Sequence, residues 1–172
     1  MQVRVVHFSA PWQAEANRGA RRNLLNSRLD RTIAVPLPMQ NFSDLLAAAH
    51  AEPEPQRLLL VFAAAELPLD ATPAERAQFE RGQGGALAPV VCVDKRPDEI
   101  ADFAALCAEA GHAAQHWDIL FVAAMSGRGG HAPNNDEAVQ PLRMMVEQIR
   151  AGHVARFLAV DRNGDLVHLQ AR

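Results

Sequence analysis

The order of apolar and polar residues along the chain predicts strands that alternate with helices. Three apolar runs have the length and content of strands buried on both faces, as in a parallel sheet. A further pair of apolar runs flanks an Asn-Gly dipeptide, which is a strong short-range signal for a β-hairpin. The first three runs are Leu58–Ala65, Ala88–Val93 and Trp117–Met125, and the pair is Ala155–Val160 and Leu166–Leu169.

Four segments with helical periodicity precede or separate these runs. The second segment opens with Thr72, Pro73 and Glu75, which form a capping box with proline at the first helical position. The fourth contains Pro141, which should kink the helix or mark its true start. The predicted helices cover residues 41–52, 72–82, 97–111 and 135–151, and the fourth should turn Val139, Leu142, Val146 and Ile149 inward.

This alternation predicts the fold class. Strands joined by helices usually form right-handed parallel crossovers. We therefore predict a single α/β domain over residues 39–172. Its mixed five-stranded sheet should contain three parallel strands followed by a C-terminal antiparallel hairpin. Helices should flank the sheet in a flavodoxin-like or thioredoxin-like layout.

The first 38 residues differ from the rest in pattern and charge. They hold six arginines and two acidic residues, a net charge of +4, whereas residues 39–172 have a net charge of −7. Three interpretations stay open: a flexible basic arm, sequence upstream of a true start at Met39, or an edge strand at Thr32–Leu37. The basic arm could attract nucleic acid non-specifically. No other nucleic-acid binding is expected, because the acidic remainder lacks a dense basic face.

Length and composition favour an ordinary globular protein. A chain of 172 residues, 49% of them hydrophobic, can bury a substantial core. No apolar stretch approaches the roughly 20 residues of a membrane span, and no secretory signal is present. We therefore expect a cytoplasmic protein with no membrane association. Cys92 and Cys107 show no CxxC or zinc-ligand spacing and are predicted to be buried, reduced thiols, so no metal or cofactor is expected.

A candidate site follows from the predicted parallel strands, because ligands of open α/β sheets bind outside the carboxyl ends of the strands. The glycine turn at residues 127–130 offers backbone N–H groups, and Lys95 and Arg128 add positive charge, so this end predicts an anion site. A histidine beside a carboxylate could also act as a general base. The predicted ligand-binding residues are Lys95, Ser126, Gly127, Arg128, Gly129 and Gly130, and the weaker catalytic candidates are Glu66, Asp94 and His131.

Other interpretations of these loops fit less well. Residues 127–132 match the GxGxxA spacing of dinucleotide sites, but Pro133 intervenes before the next helix. Asp161, Asn163 and Asp165 resemble the start of a calcium loop, yet Leu166 stands where that loop needs glycine. The simplest alternative for the whole set of candidate residues is that they are ordinary solvated loop ends.

Several segments together resemble a known family. They are LLLVFAAAELPLDATPAERAQFERGQGGAL, PVVCVDK, ILFVAAMSGRGG and FLAVDRNGDLV, within about Met39–Leu169. They are similar to segments of small, uncharacterised proteobacterial proteins that often carry the label "ribonucleotide reductase subunit alpha". Members typically start near Met39, which favours the early-start interpretation of residues 1–38. True reductase large subunits are several times longer and need a radical-forming cysteine and a redox cysteine pair, so the resemblance implies no reductase activity and transfers no catalytic residue.

Two functions from different classes are compatible with the sequence. The lack of a well-formed catalytic group favours a non-catalytic module that binds a partner protein or a small ligand. The alternative is an enzyme that acts on an anionic, phosphate- or carboxylate-bearing small molecule at the C-terminal ends of the parallel strands. In that enzyme Lys95 and Arg128 would bind charge, and a proton would move through Glu66, Asp94 or His131.

Overall fold

The apolar runs form one sheet with helices on both faces. The computed structural model describes residues 3–7, 39–82, 84–113 and 116–171. The strands are β1 (Val3–His7), β2 (Gln56–Glu66), β3 (Ala86–Lys95), β4 (Ile119–Ser126), β5 (Leu158–Asp161) and β6 (Leu166–Ala171). The helices are α1 (Phe42–Ala51), α2 (Pro73–Glu80), α3 (Phe103–Ala113) and α4 (Asn135–Arg150), with a 3-10 turn at Pro97–Glu99.

The strands lie in the order β1-β6-β5-β4-β2-β3, and every neighbouring pair is antiparallel. The prediction of three parallel strands in a flavodoxin-like or thioredoxin-like layout is therefore wrong. β3 and β4 do run in the same direction, but β2 lies between them and opposes both. The five strands β2 to β6 form one antiparallel sheet, and β1 adds to the outer side of β6.

The continuous apolar run of β2 explains this error. β2 is buried from Gln56 to Ala64, so its two faces cannot be told apart by their polarity. Apolar and polar residues alternate only where one face of a sheet meets water. An antiparallel strand covered on both faces therefore has the same sequence pattern as a parallel one.

α4 covers one face of the sheet, and α1 and α3 cover the other. On the α4 face, Ala138, Met145 and Ile149 share a core with side chains of β2, β4, β5 and β6. On the α1/α3 face, Phe42 and Leu106 share a core with Trp117 and the alternate residues of β2. β2 contributes Leu59, Val61 and Ala63 to the α4 face and Leu58, Leu60 and Phe62 to the α1/α3 face.

The predicted helix starts are confirmed in one case and displaced in another. The capping box of Thr72 and Glu75 is formed at the start of α2. The helix predicted from Pro97 begins instead at Phe103, because Pro97–Glu99 form a 3-10 turn that ends at the extended residue Ile100. Ile100 is buried, so the 3-10 turn and the extended residue after it add an apolar side chain to the α1/α3 core.

The predicted fourth helix is confirmed as α4, with two corrections. Pro141 lies inside α4 and does not mark its start. Met145 and Ile149 face the core, but Val139, which was predicted to do so, is 53% exposed. The buried stripe of α4 is therefore centred nearer Ala138 than the sequence pattern indicates.

The C-terminal hairpin is confirmed. β5 pairs with β6, and Gly164 in the connecting turn has a φ of +89°, which glycine adopts without strain. The Asp161 carboxylate accepts the N–H groups of Asn163 at 2.8 Å and Asp165 at 3.1 Å. These bonds close the turn with the chain's own side chain, which fits a hairpin rather than a calcium loop.

Within the first 38 residues the structure describes only the strand Val3–His7. The edge strand predicted at Thr32–Leu37 lies outside the described residues, as does most of the segment interpreted as an arm or as upstream sequence. No helix in the described ranges is both long and apolar enough to cross a membrane.

The two cysteines lie on opposite faces of the sheet. Cys92 is paired across the strands with Val61 of the α4 face, whereas Cys107 packs against the α1/α3 core. Cys92 is exposed, so its predicted burial is wrong, and the reason is that β3 is an edge strand of the sheet. Burial raises the pKa of the Cys107 thiol, and nearby Arg162 acts in the opposite direction.

Candidate functional site

The antiparallel sheet divides the predicted site between its two ends. β2 begins at Gln56, beside the last residues of β3 and β4, and ends at Glu66, beside the first residue of β3. Asp94 and Ser126 therefore lie near Gln56, whereas Glu66 lies about 30 Å away along β2 at the usual rise per residue. The fold does not bring Glu66 together with Asp94 or His131.

Asp94 and Lys95 point to opposite faces of the sheet. Asp94 lies opposite Leu59 on the α4 face, and Lys95 lies opposite Leu58 on the α1/α3 face. Lys95 Nζ is 2.7 Å from a carboxylate oxygen of Glu109 in α3. The lysine proposed to attract an anion is thus already paired with a helix on the other side of the sheet.

Arg57 organises the polar contacts at the Gln56 end, although the sequence interpretation gave it no role. Its side chain is only 6% exposed, and Nε donates to Asp94 Oδ2 at 2.6 Å. One terminal nitrogen donates to the carbonyl oxygen of Pro133 at 3.1 Å, and the other donates to the side-chain oxygen of Asn135. We call these four residues the Arg57 latch. The latch ties the start of β2 to the end of β3 and to the first turn of α4.

Burial explains why the latch has so many partners. An unpaired charge in a protein interior costs several kcal/mol, so a buried guanidinium needs a counter-ion and further acceptors. The planar fork of Arg57 meets a carboxylate, a carbonyl and an amide oxygen at once. Asp94, one of the candidate bases, is therefore held by a fixed cation.

Three of the four N–H groups of the glycine turn, those of Gly127, Arg128 and Gly130, are bonded within the chain. Gly127 donates to the carbonyl oxygen of Pro55 at 2.8 Å, and Gly130 donates to the Glu54 carboxylate at 2.8 Å. A side chain of the protein thus occupies a position that the predicted anion would take. A Cβ on Gly127 would lie 2.2 Å from the carbonyl oxygen of His131, so the turn is also packed too closely for any side chain there.

The other predicted residues of this turn make local contacts. Arg128 and His131 exchange two backbone hydrogen bonds, and their side chains are exposed. His131 Nδ1 lies 3.0 Å from the carbonyl oxygen of Gly129. Ser126 Oγ accepts a hydrogen bond from Gln56 Nε2 at 2.8 Å. Among the described residues no carboxylate lies in bonding contact with the imidazole of His131.

The N-terminus of α4, next to this turn, is occupied by the chain's own acidic groups. The Asn134 side chain accepts the N–H of Glu137 at 2.9 Å, and the Glu137 carboxylate accepts the N–H of Asn134 at 2.7 Å. Asp136 and Glu137 also place negative charge in the first turn, where the helix dipole favours it. A bound anion would have to compete with both of these carboxylates.

The opposite end of α4 borders an open groove of about 750 Å³. Its walls are Gln148 in the last turn of α4, the segment at residues 152–156, and Leu169 of β6. Val154 and Leu169 are buried, at 3% and 7% exposure, and form an apolar floor. We call this the α4–β6 groove.

A glycine-terminated helix end shapes one wall of this groove. Gly152 has a φ of +78°, the left-handed conformation that commonly ends a helix. The chain then turns Val154 into the core and leaves His153 and Arg156 exposed. The last carbonyl groups of α4 are capped by three N–H donors, those of Ala151, Gly152 and His153.

The polar lining of the groove is basic and amide in character. Arg156 Nη1 donates to Gln148 Oε1 at 3.3 Å, and this neutral amide is its only described side-chain partner. The nearby Glu147 carboxylate bonds to Arg150 at 3.1 Å instead. The described lining residues include no acidic side chain. The groove therefore carries positive charge on a chain whose net charge is −3.

The sequence pattern contains little that predicts this groove. It places Arg156 in a strand and interprets Gly152 only as a helix stop. The walls come together only in the fold, since Gln148 and Leu169 belong to different elements. The one available signal was the pair of basic residues, His153 and Arg156, beside a helix stop in an otherwise acidic domain.

No group of three metal-binding side chains lies close together in the part of the chain that the structure describes. Searches with the chain found no matching family model, no matching curated protein and no matching solved structure. Functional inference therefore depends on the geometry of the chain itself.

Proposed function

We propose that the protein is a non-catalytic module that binds a small ligand in the α4–β6 groove. The groove carries this proposal, because its volume of about 750 Å³ lies within the range of known ligand pockets, roughly 300–1,000 Å³. It also combines an apolar floor with a few polar groups, which is the usual composition of such pockets. Val154 and Leu169 supply the floor, and Gln148, His153 and Arg156 supply the polar rim.

The arrangement of the candidate catalytic groups supports a binding role over an enzymatic one. A general base needs a side chain within hydrogen-bonding reach of the proton that it removes. Glu66 lies at the far end of β2, and Asp94 is engaged by Arg57. Lys95, proposed to attract the substrate, is paired with Glu109. We therefore propose no reaction at the Gln56 end of the sheet.

We also propose that the chain belongs to the resembled family of small proteobacterial proteins. This proposal carries a binding role and no reductase activity. A redox cysteine pair requires two sulfur atoms that can approach to bonding distance. Cys92 and Cys107 belong to opposite faces of the sheet, which separates them. Their positions support a protein without disulfide chemistry.

The proposal is tested by screening nucleotides, sugar phosphates and organic acids for thermal stabilisation of the full chain. A ligand at about 100 times its dissociation constant stabilises the folded state by roughly 2.7 kcal/mol, which raises the midpoint by several degrees. Ala155 lines the groove and is exposed, so Ala155→Trp should fill the groove and abolish the shift.

Ala151→Trp is the matched control. Ala151 is also exposed, lies four positions earlier, and is not among the residues that line the groove. It should leave the thermal shift unchanged. A shift that survives Ala155→Trp, or a panel in which no compound stabilises the protein, would contradict the proposal.

A further inference from the structure

The chemistry of the α4–β6 groove narrows the ligand further, on the assumption that the proposed function is correct. The side chain that stands out is Arg156, whose guanidinium is exposed at the groove and, among the described residues, bonds only to the neutral Gln148 amide. Arg57 and Lys95, by contrast, are paired with carboxylates. Arg156 thus keeps its charge and most of its N–H groups available for a ligand.

The contact with Gln148 orients this guanidinium. Gln148 Oε1 accepts one N–H of Arg156 at 3.3 Å, and no other described side chain bonds to the remaining edge of the planar group. A guanidinium edge presents two parallel N–H groups and binds a carboxylate through both oxygens. Gln148 also lines the groove, and its side-chain amide carries N–H donors of its own.

The electrostatics of the helix end do not oppose an anion strongly. The C-terminal end of a helix carries partial negative charge on its unbonded carbonyl groups. In α4 the carbonyl groups of Glu147, Gln148 and Ile149 are already bonded to N–H groups of the following residues. Arg156 is therefore the main fixed charge among the described lining residues, with histidine counted as neutral.

The apolar floor restricts the ligand as much as the charge does. Val154 and Leu169 belong to the α4-face core, and their exposed edges gain nothing from an inorganic ion. Burying apolar ligand surface against them contributes roughly 25 cal/mol per Å². A ligand that uses both features has one anionic group and a compact apolar body.

We infer that the α4–β6 groove binds a small organic carboxylate, with its carboxylate on Arg156 and its apolar body against Val154 and Leu169. A single carboxylate matches the single guanidinium charge. A phosphate monoester carries about −1.5 to −2 at neutral pH and would leave excess negative charge in the groove.

The test compares phenylacetate with phenylacetamide, two probes of nearly the same shape that differ in charge. Binding is followed by NMR, through the methyl signals of Val154 and Leu169 and the side-chain Nε–H signal of Arg156. Phenylacetate should perturb all three, and phenylacetamide should bind at least tenfold more weakly. Arg156→Gln should abolish the preference for the acid, and Arg156→Lys should restore part of it. Thermal unfolding of each variant checks that its fold is retained.

Each of the other possible outcomes contradicts the carboxylate inference alone or together with the proposed function. Equal binding of phenylacetate and phenylacetamide in the groove would overturn the carboxylate inference and leave the proposed function intact. Tighter binding of phenyl phosphate or inorganic phosphate than of phenylacetate would assign the groove to a phosphate ligand, with the same consequence. If neither probe perturbs the groove while another compound gives a stabilisation that Ala155→Trp removes, the inference fails alone. If no compound of either panel perturbs the groove, both proposals fail.

Discussion

Two arginines, Arg57 and Arg156, lie beside opposite ends of α4, and they differ in burial and in hydrogen-bond partners. Arg57 meets the first turn of α4, is only 6% exposed and has a carboxylate, a carbonyl and an amide as partners. Arg156 lies beyond the last turn, is exposed and, in the described part of the chain, has one amide partner at 3.3 Å. The first guanidinium joins three segments of the fold, and the second has no carboxylate partner among the described residues.

This difference shows how charge near a sheet end should be interpreted. A buried ion pair is costly to leave incomplete, so the residues of the Arg57 latch are committed to one another. An exposed charge with a neutral partner loses little when a ligand replaces water. The glycine turn and Lys95 resemble the latch in this respect, because Lys95 and the N–H groups of Gly127, Arg128 and Gly130 already have acceptors within the chain.

The largest expected effect is on the latch. Arg57→Ala should lower the free energy of unfolding by about 3–5 kcal/mol, because Asp94 would be left without its counter-ion in a largely buried position. Urea unfolding followed by circular dichroism measures this change. Replacing both partners, as Arg57→Met with Asp94→Leu, should cost clearly less than Arg57→Ala alone, since no charge is then left unpaired.

Arg150→Ala is the control for that comparison. Arg150 pairs with Glu147 on the exposed side of α4, where both side chains are at least 60% exposed. An ion pair of this kind contributes about 0–1 kcal/mol. If Arg57→Ala cost no more than Arg150→Ala, the latch would not be the structural element that distinguishes the two ends of α4.

The next effect concerns the packing of the glycine turn. Gly127→Ala should destabilise the protein by about 1–3 kcal/mol, because the new Cβ would lie 2.2 Å and 2.8 Å from two backbone carbonyl oxygens. Gly111→Ala is the matched control, since Gly111 lies in α3 with no atom within 4 Å of the new Cβ. It should stabilise the protein by about 0.5–1 kcal/mol through helix propensity. Thermal unfolding of the two variants measures both; equal effects would mean that the turn is loosely packed.

The approximate positions of β2 to β6 and of the four helices could be predicted from the sequence, but β1 and the relative direction of β2, β3 and β4 could not. Apolar runs, the capping box of Thr72 and the Asn-Gly turn are local signals, and each is found in the structure. Strand direction depends on which strands become neighbours, and β2 inserts between β3 and β4. Because both faces of β2 are covered, its sequence lacks the alternation that marks many antiparallel strands.

The same limit applies to the candidate sites. The sequence placed Asp94, Lys95 and the glycine turn together, and the structure keeps them at one end but on different faces. In the local sequence Arg57 is only the polar residue at the start of a strand. Two of its partners, Asp94 and Asn135, lie 37 and 78 positions away. Pairing between such distant residues leaves no local pattern, so neither the latch nor the α4–β6 groove could be found before the fold was known.

A smaller effect is expected for Lys95, the residue first proposed to bind an anion. Lys95→Ala should lower the free energy of unfolding by no more than about 1 kcal/mol, because Glu109 is 57% exposed and is well solvated without its partner. The variant should also keep the ligand response of the α4–β6 groove. Thermal unfolding with and without ligand measures both quantities. A ligand shift lost in Lys95→Ala but retained in Arg156→Gln would return the site to the Gln56 end of the sheet.

The smallest effect on stability should be that of Arg156→Gln, at the groove. Its guanidinium is exposed and makes one hydrogen bond, to an amide, within the described residues, so the free energy of unfolding should change by less than about 0.5 kcal/mol. Arg156 could also stabilise the C-terminus of α4 by about 0.3–1 kcal/mol, but three backbone N–H groups already cap that end. Urea unfolding of Arg156→Gln and of Arg57→Ala measures the loss of unfolding free energy at each of the two arginines. A loss above about 1 kcal/mol would make Arg156 a structural residue like Arg57, and the charge at the groove would then no longer argue for a ligand.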